Sequence, residues 1–218
     1  MGKHRIVLVS GPPASGKTTL ARPLAERLGF ALVTKDDIKE SLFTALDGPP
    51  GDVEFSRRIG AASMDLLWAL APHCPAVVLE ANFRTQNQVE RAKVTALAEA
   101  GAQIVEVYCR LPRAEASRRF AERARQERHH PAHVLAEMSP DRMIEYEEPF
   151  ALSPVIEVDT TKPIDIEALA RQIETAWPRL MVGDALQSGN TVFEKPVLYQ
   201  GTTSVVPKKG SKTKGFSP

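Results

Sequence analysis

The segment RIVLVSGPPASGKTTLARPLAERLGF, Arg5 to Phe30, leaves the chain very few ways to fold. A short apolar run, Ile6–Val9, stops abruptly at Ser10-Gly11. Beyond Lys17 a helical pattern begins, with Leu20, Leu24 and Leu28 on one face and Gly29 placed to end it. Between the two, Gly11 and Gly16-Lys17-Thr18 satisfy the spacing G-x-x-x-x-G-K-[ST]. Glycines at those places let the backbone wrap around a polyphosphate with its amide N–H groups inward. The helix that follows aims the positive end of its dipole at the same charge. Gly11, Pro12, Pro13, Ala14, Ser15 and Gly16, with Lys17, Thr18 and Thr19, are therefore expected to bind ATP. Lys17, on a loop expected to face solvent, would reach the β- and γ-phosphates, and the Thr18 hydroxyl would bind Mg2+.

The rest of the chain repeats the strand-then-helix alternation. Strands are expected at Ala31–Thr34, Ala76–Ala81, Ile104–Tyr108 and Val155–Val158. Helices are expected at Asp36–Leu46, Glu54–Leu70, Gln86–Ala100, Arg113–Arg128 and Ile164–Trp177. This order predicts an α/β, P-loop NTPase-like, three-layer α/β/α fold with a five-stranded parallel sheet, covered on both faces. Composition changes after Leu180, so the P-loop domain is expected over residues 1–180 and a C-terminal extension over 181–218. In the extension Thr191–Gln200 is a candidate edge strand, and Lys208–Pro218 has the composition of a disordered basic tail. A net charge of +1 and 6% aromatic content offer no basic, stacking channel for nucleic acid. The two cysteines, Cys74 and Cys109, are too few for a disulfide scaffold and read as buried reduced thiols. No apolar run reaches the ~18 residues of a spanning helix, so a cytoplasmic protein without a membrane partner is expected, as a monomer or a homodimer.

A P-loop alone does not choose between a transferase, a motor and a switch. The segment LVTKDDIKESLF, Leu32–Phe43, puts Asp36 and Asp37 where the second strand ends and a helix begins. Open α/β sheets carry their reactive groups at the carboxyl ends of strands. A carboxylate there can accept the proton of an attacking hydroxyl, or it can cap the helix, and Asp36 is the candidate for either role. Asp37 suits the helix dipole. Lys39, three residues after Asp36, projects toward the same cleft to bind an acceptor, or stays in solvent.

The P-loop, the TKDD-I-K segment, VVLEANFR and the Arg-rich helix together resemble the predicted-kinase branch of P-loop proteins. That branch resembles the kinase domain of phage-type polynucleotide kinase, chloramphenicol phosphotransferase and gluconate-type kinases. The resemblance spans about Arg5–Trp177 and implies that Asp36 is the general base. The polynucleotide kinase contacts its acceptor through a basic residue three positions later. Here that place holds Lys39, a point charge rather than an arginine fork. Glu80 in VVLEANFR stands at the Walker B position, to orient Mg2+ or its waters, or to touch the acceptor. Asn82 and Arg84 follow it into the cleft, Arg84 either holding substrate or capping a surface loop. In SRRFAERARQERHHPAHV, Ser117–Val134, Arg119 and Arg123 share a helix face. The resemblance makes them the base of an Arg-rich lid, one near the adenine and one over the phosphates. Arg118, Arg125 and Arg128 read as solvated.

His129, His130 and His133 lack the cysteine or carboxylate that would complete a zinc set, and suit lid or acceptor contacts better. Glu145–Phe150, EYEEPF, could border the acceptor pocket or simply be solvated. The function these readings predict is an ATP- and Mg2+-dependent kinase acting on a hydroxyl of a small molecule such as a sugar, a nucleoside or an antibiotic. The alternatives are a 5′-hydroxyl polynucleotide kinase and a nucleotide-dependent switch. The guanine-reading N-K-x-D sequence is absent, and a switch needs no base at Asp36. The acceptor pocket is expected from the segments Leu46–Arg58 and Arg84–Glu90.

Overall fold

Apolar residues at both odd and even positions of the first strand require a partner layer on each side of the sheet, and both layers are present. The computed structural model describes residues 4–126 and 130–177, the side chains of Pro140 and Asp141 excepted. Five parallel strands, β1 (Arg5–Ser10), β2 (Ala31–Thr34), β3 (Ala76–Glu80), β4 (Gln103–Arg110) and β5 (Val155–Asp159), lie in the order β2-β3-β1-β4-β5. β1 therefore sits at the centre, with Val9 opposite Glu80 of β3 and Ser10 opposite Tyr108 of β4. Helices α1 (Lys17–Leu28), α2 (Lys35–Ala45), α3 (Val53–Leu70), α4 (Gln88–Glu99), α5 (Arg113–Ala124), α6 (Pro140–Ile144) and α7 (Ile166–Ala176) connect and cover them.

Alternation along the strands divides the core in two. Ile6, Leu8, Val77, Leu79 and Ile104 pack with Leu67 and Trp68 of α3 and Val94 and Leu97 of α4. Val7, Val9, Val78, Val105 and Val107 pack on the other face with Leu20 and Leu24 of α1 and Leu169 and Ile173 of α7. The predicted sheet and its two helical layers are thus present. Gly29 ends α1 as expected, with φ 65° and its N–H bonded to the last-turn carbonyls.

Three expectations change. The Arg-rich helix stops at Ala124 instead of Arg128. The short α6 escaped notice because five residues carry too little periodicity to read. Cys109 is a buried free thiol as expected, but Cys74 is only half-buried. The described residues belong to one compact unit within Met1–Arg179. The candidate strand Thr191–Gln200, the tail Lys208–Pro218, and Glu127, Arg128 and His129 lie outside the described residues.

One polar residue inside the first core layer ties the sheet to the loop ahead of β5. Glu106 of β4 is fully buried and accepts hydrogen bonds from Ser10 Oγ (2.6 Å), Phe150 N (3.0 Å) and Ala151 N (3.2 Å). Burial pushes its pKa up, against the pull of these donors. Glu106→Ala strands three donors at once, two of them in buried bonds, and should destabilise the fold by about 3 kcal/mol. Urea unfolding measures this; a loss under about 0.5 kcal/mol, the range of a bland surface change, would show that water replaces the carboxylate.

Candidate active site

The loop between β1 and α1 is shaped by its glycines and left polar at its centre. Gly11 has φ 130°, and a Cβ there would lie 2.5 Å from the Cys109 carbonyl oxygen, so no larger residue fits. Gly16 caps α1 at φ 80° without any side-chain hydrogen bond. By contrast α2, α3, α4 and α7 are capped by Thr34, Asp52, Asn87 and Asp165. The first N–H groups of α1 are therefore free for an anion. Ser15 Oγ, fully buried, has no hydrogen-bond partner among the described residues. An orphaned buried hydroxyl beside an uncapped helix start is what a phosphate group would complete.

Lys17 is not solvent-facing. It is 5% exposed, and its ammonium folds back to donate to Gly11 O (3.1 Å) and Pro12 O (2.8 Å). Burial lowers its pKa, while Glu80, Cys109 and Asp36 act in the opposite sense. The sequence reading missed this because the loop closes over the lysine through tertiary packing.

Glu80 ends β3 beside β1, so it meets the start of α1 from below. It is buried, and Thr18 Oγ1 donates to its Oε2 at 3.1 Å. Burial pushes the Glu80 pKa up, although Lys17 and Thr18 oppose it. A hydroxyl and a costly buried carboxylate in contact suit a divalent cation, which would stabilise the ionised form. Asp36, in the first turn of α2, pairs with Lys35 Nζ at 3.0 Å. Burial alone would raise its pKa, but Lys35, His133 and Arg123 outweigh burial and hold it at about 2. Lys17, Thr18, Thr19, Asp36, Glu80 and Asn82 line one cavity of about 320 Å³ together with Arg119 and Arg123. The residues present fit a magnesium–nucleotide complex.

α5 supplies the opposite wall. Arg119 is fixed from two sides, donating through Nε to Glu115 (2.7 Å) and through Nη1 to Thr160 O beyond β5 (3.3 Å). Arg123 is exposed, with its guanidinium 5.9 Å from the Phe120 ring, and no carboxylate pairs with it among the described residues. Arg118, by contrast, is engaged by Glu115 and Glu122 on the outer face. Arg123→Ala should lower kcat by on the order of 10²-fold, as for other donors aimed at charge that develops in a transition state. Arg125→Ala should be nearly silent. Steady-state kinetics on both variants checks the contrast, and equal effects would reduce α5 to a solvated basic face.

The remaining sequence candidates separate. Asp37 turns outward to Arg22 (2.9 Å), so Asp36 is the member of the pair that lines the cavity. Arg84 does not reach it either: Glu90 accepts from both its backbone N (3.0 Å) and its Nε (3.1 Å), folding Arg84–Glu90 onto itself. That segment lines neither the cavity above nor the one beside it. EYEEPF is likewise structural, with Glu147 paired to Arg113, Thr85 Oγ1 donating to Glu148 O and Phe150 buried. Lys39 is buried, not solvated, and opens on a second cavity of about 230 Å³ with Val53 and Ser56 from the segment expected to form the acceptor pocket. Sequence reasoning missed Lys35, Ser56 and Arg142. Lys35 was legible as the neighbour of Asp36; the others are assembled only by packing. His130 lies edge-on to Phe43 (5.6 Å), and His133 meets Glu40 at 2.9 Å.

A family model described as "AAA domain" matches residues 6–142, more than half of the chain. Among solved structures, the "putative kinase" of Chloroflexus aurantiacus J-10-fl is 27% identical, with a TM-score of 0.69 over 82% of this chain and 100% of that one. Kti12 of Chaetomium thermophilum, solved in complex with ADP-AlF3, shares the fold at 18% identity and a TM-score of 0.53, covering 80% of this chain and 100% of that one. A gluconokinase from Sinorhizobium meliloti 1021 aligns at 17% identity and a TM-score of 0.46 over 81% of this chain and 93% of that one. No curated protein matches the sequence.

Proposed function

This chain belongs to the AAA domain family of P-loop proteins and has the P-loop kinase fold, and from that premise we propose that it transfers the γ-phosphoryl group of ATP to a hydroxyl of a small molecule. The observation that carries this reading is that Asp36 lines the same cavity as the P-loop lysine. A nucleotide switch has no use for that carboxylate.

In this proposal the uncapped N–H groups of α1 and Ser15 hold the phosphates. Lys17 leaves the Gly11 and Pro12 carbonyls to bridge the β- and γ-oxygens. Thr18 would hold a magnesium ion and Glu80 would orient it, and the ion would supply charge neutralisation on the phosphates. Asp36 aligns the acceptor hydroxyl and takes its proton as the bond to phosphorus forms. Arg119, braced against Thr160 O, borders the nucleotide, and Arg123 reaches over the group in flight. No helix among the described residues is long and apolar enough to cross a membrane. The test is to incubate the protein with ATP, Mg2+ and panels of hydroxylated metabolites and antibiotics, and to look for products heavier by one phosphate. Phosphorylation of a polynucleotide 5′-end instead, or of nothing in the panels, would count against a small-molecule acceptor.

A further inference from the structure

The cavity beside the nucleotide site has an unusual charge balance. Its walls are apolar at Val53, Phe120 and Leu135, and among the described residues none of its lining side chains is a carboxylate. Lys39 opens on it while only 7% exposed, and its hydrogen bond is to a neutral group, Ser56 Oγ, at 2.8 Å. Ser56 is committed in turn to Ala132 O at 2.6 Å, so it can offer Lys39 only lone pairs. Arg142 and Arg123 also line the cavity, and neither has an ion-pair partner among the described residues. The other basic residues there are already compensated, Arg57 by Glu54 and His133 by Glu40. Desolvation, with Lys35 nearby, lowers the Lys39 pKa to about 8, against the pull of Asp36 and Glu40. Asp36 and Glu40 act on this charge from beyond ion-pair distance, and among the described residues no carboxylate pairs with it directly; a buried ammonium so placed is costly unless something completes it.

We propose that this cavity seats the acceptor and selects molecules that combine an apolar body with an anionic oxygen group, a carboxylate or a phosphate monoester, held by Lys39 and Arg142. This rests on the kinase reading above and names its substrate class. Arg123 lines both cavities, so the two are neighbours across one guanidinium. Asp36 and Lys39 lie at i and i+3 on α2 and share a face. An acceptor anchored by its anion at Lys39 can thus present a hydroxyl to Asp36. At about 230 Å³ the space is below the usual range for drug-sized ligands, which argues for a single-ring or similarly small body. Lysine in place of the arginine fork still provides the charge, with less demand on the geometry of the anion.

The test uses binding without ATP, so it does not depend on turnover. The probes are 4-(hydroxymethyl)benzoate, 4-(hydroxymethyl)phenyl phosphate and the neutral isostere 4-(hydroxymethyl)benzamide, each titrated calorimetrically into the full chain. At least one anion should bind about tenfold or more tightly than the amide, as expected for a charge-assisted contact. Lys39→Gln should erase that preference. Arg142→Gln, at an exposed position where folding is not at risk, should reduce it several-fold, so the idea stays testable if Lys39→Gln folds poorly. The two anions distinguish a carboxylate from a phosphate acceptor. Equal binding of all three probes, binding of neither anion, or a preference that survives both substitutions overturns the proposal. If the anions bind as expected and no product forms with ATP, it is the kinase reading that fails.

Discussion

Lys17→Ala should abolish phosphoryl transfer while leaving a folded protein. In the structure the ammonium is buried and donates to Gly11 O and Pro12 O. Those carbonyls belong to the loop itself and can turn to water once the side chain is gone, so the cost to stability is modest. The cost to catalysis is not. Burial already lowers the lysine's pKa, so the charge is poised to gain from a phosphate. Loss of a single preorganised donor costs on the order of 10²–10³ in kcat, and a full charge on the transferred group should exceed that. Turnover within a few-fold of wild type, by coupled assay on protein of native circular dichroism, would remove the P-loop from the mechanism.

Asp36→Asn should lower kcat by on the order of 10²–10⁴, the range of a lost general base, with ATP affinity nearly unchanged. Asp37→Asn should do little, because its partner Arg22 is exposed and such surface pairs contribute about 0–1 kcal/mol. The pH profile follows from the sign of the shift. A base works when deprotonated, and Lys35, His133 and Arg123 hold Asp36 at about 2 against the effect of burial. Its contribution to kcat/KM is present throughout neutral and mildly acidic pH and is lost only as pH falls toward that value. An acid limb near pH 6 that disappears in Asp36→Asn would show a differently tuned carboxylate. A larger loss from Asp37→Asn than from Asp36→Asn would show that the other member of the pair is the base.

The alternation of strands and helices, the parallel sheet and the phosphate loop were readable because each depends on residues near one another in sequence. Gly11, Gly16 and Lys17 act within one loop, and Asp36 follows directly from the end of β2. What the sequence hid depends on distant packing. Lys17 reads as a loop lysine and is buried because β1 and β4 close around the loop, with Cys109 packed against Gly11. Arg84 stands at the right distance after Glu80 to enter the cleft, yet Glu90 captures it six residues later. The lid helix loses its last turn, and the second cavity draws on α2, α3, α5 and residues 133–142, a convergence no single window of sequence contains. Lys39 is the instructive case. Its spacing from Asp36 suggested either that cleft or solvent, and the structure shows neither: its ammonium is buried against Ser56 and lines the second cavity.

The central claim is that the phosphoryl group leaves ATP for an organic hydroxyl, with Asp36 in attendance. Phosphorus NMR of one reaction mixture tests it most directly: protein, MgATP and an acceptor taken from the screen, followed in time beside an Asp36→Asn sample. The account predicts ADP and a new phosphomonoester resonance rising in equal amounts in the wild type, and almost neither in the variant. ADP accompanied only by inorganic phosphate, at the same rate in both samples, would contradict it.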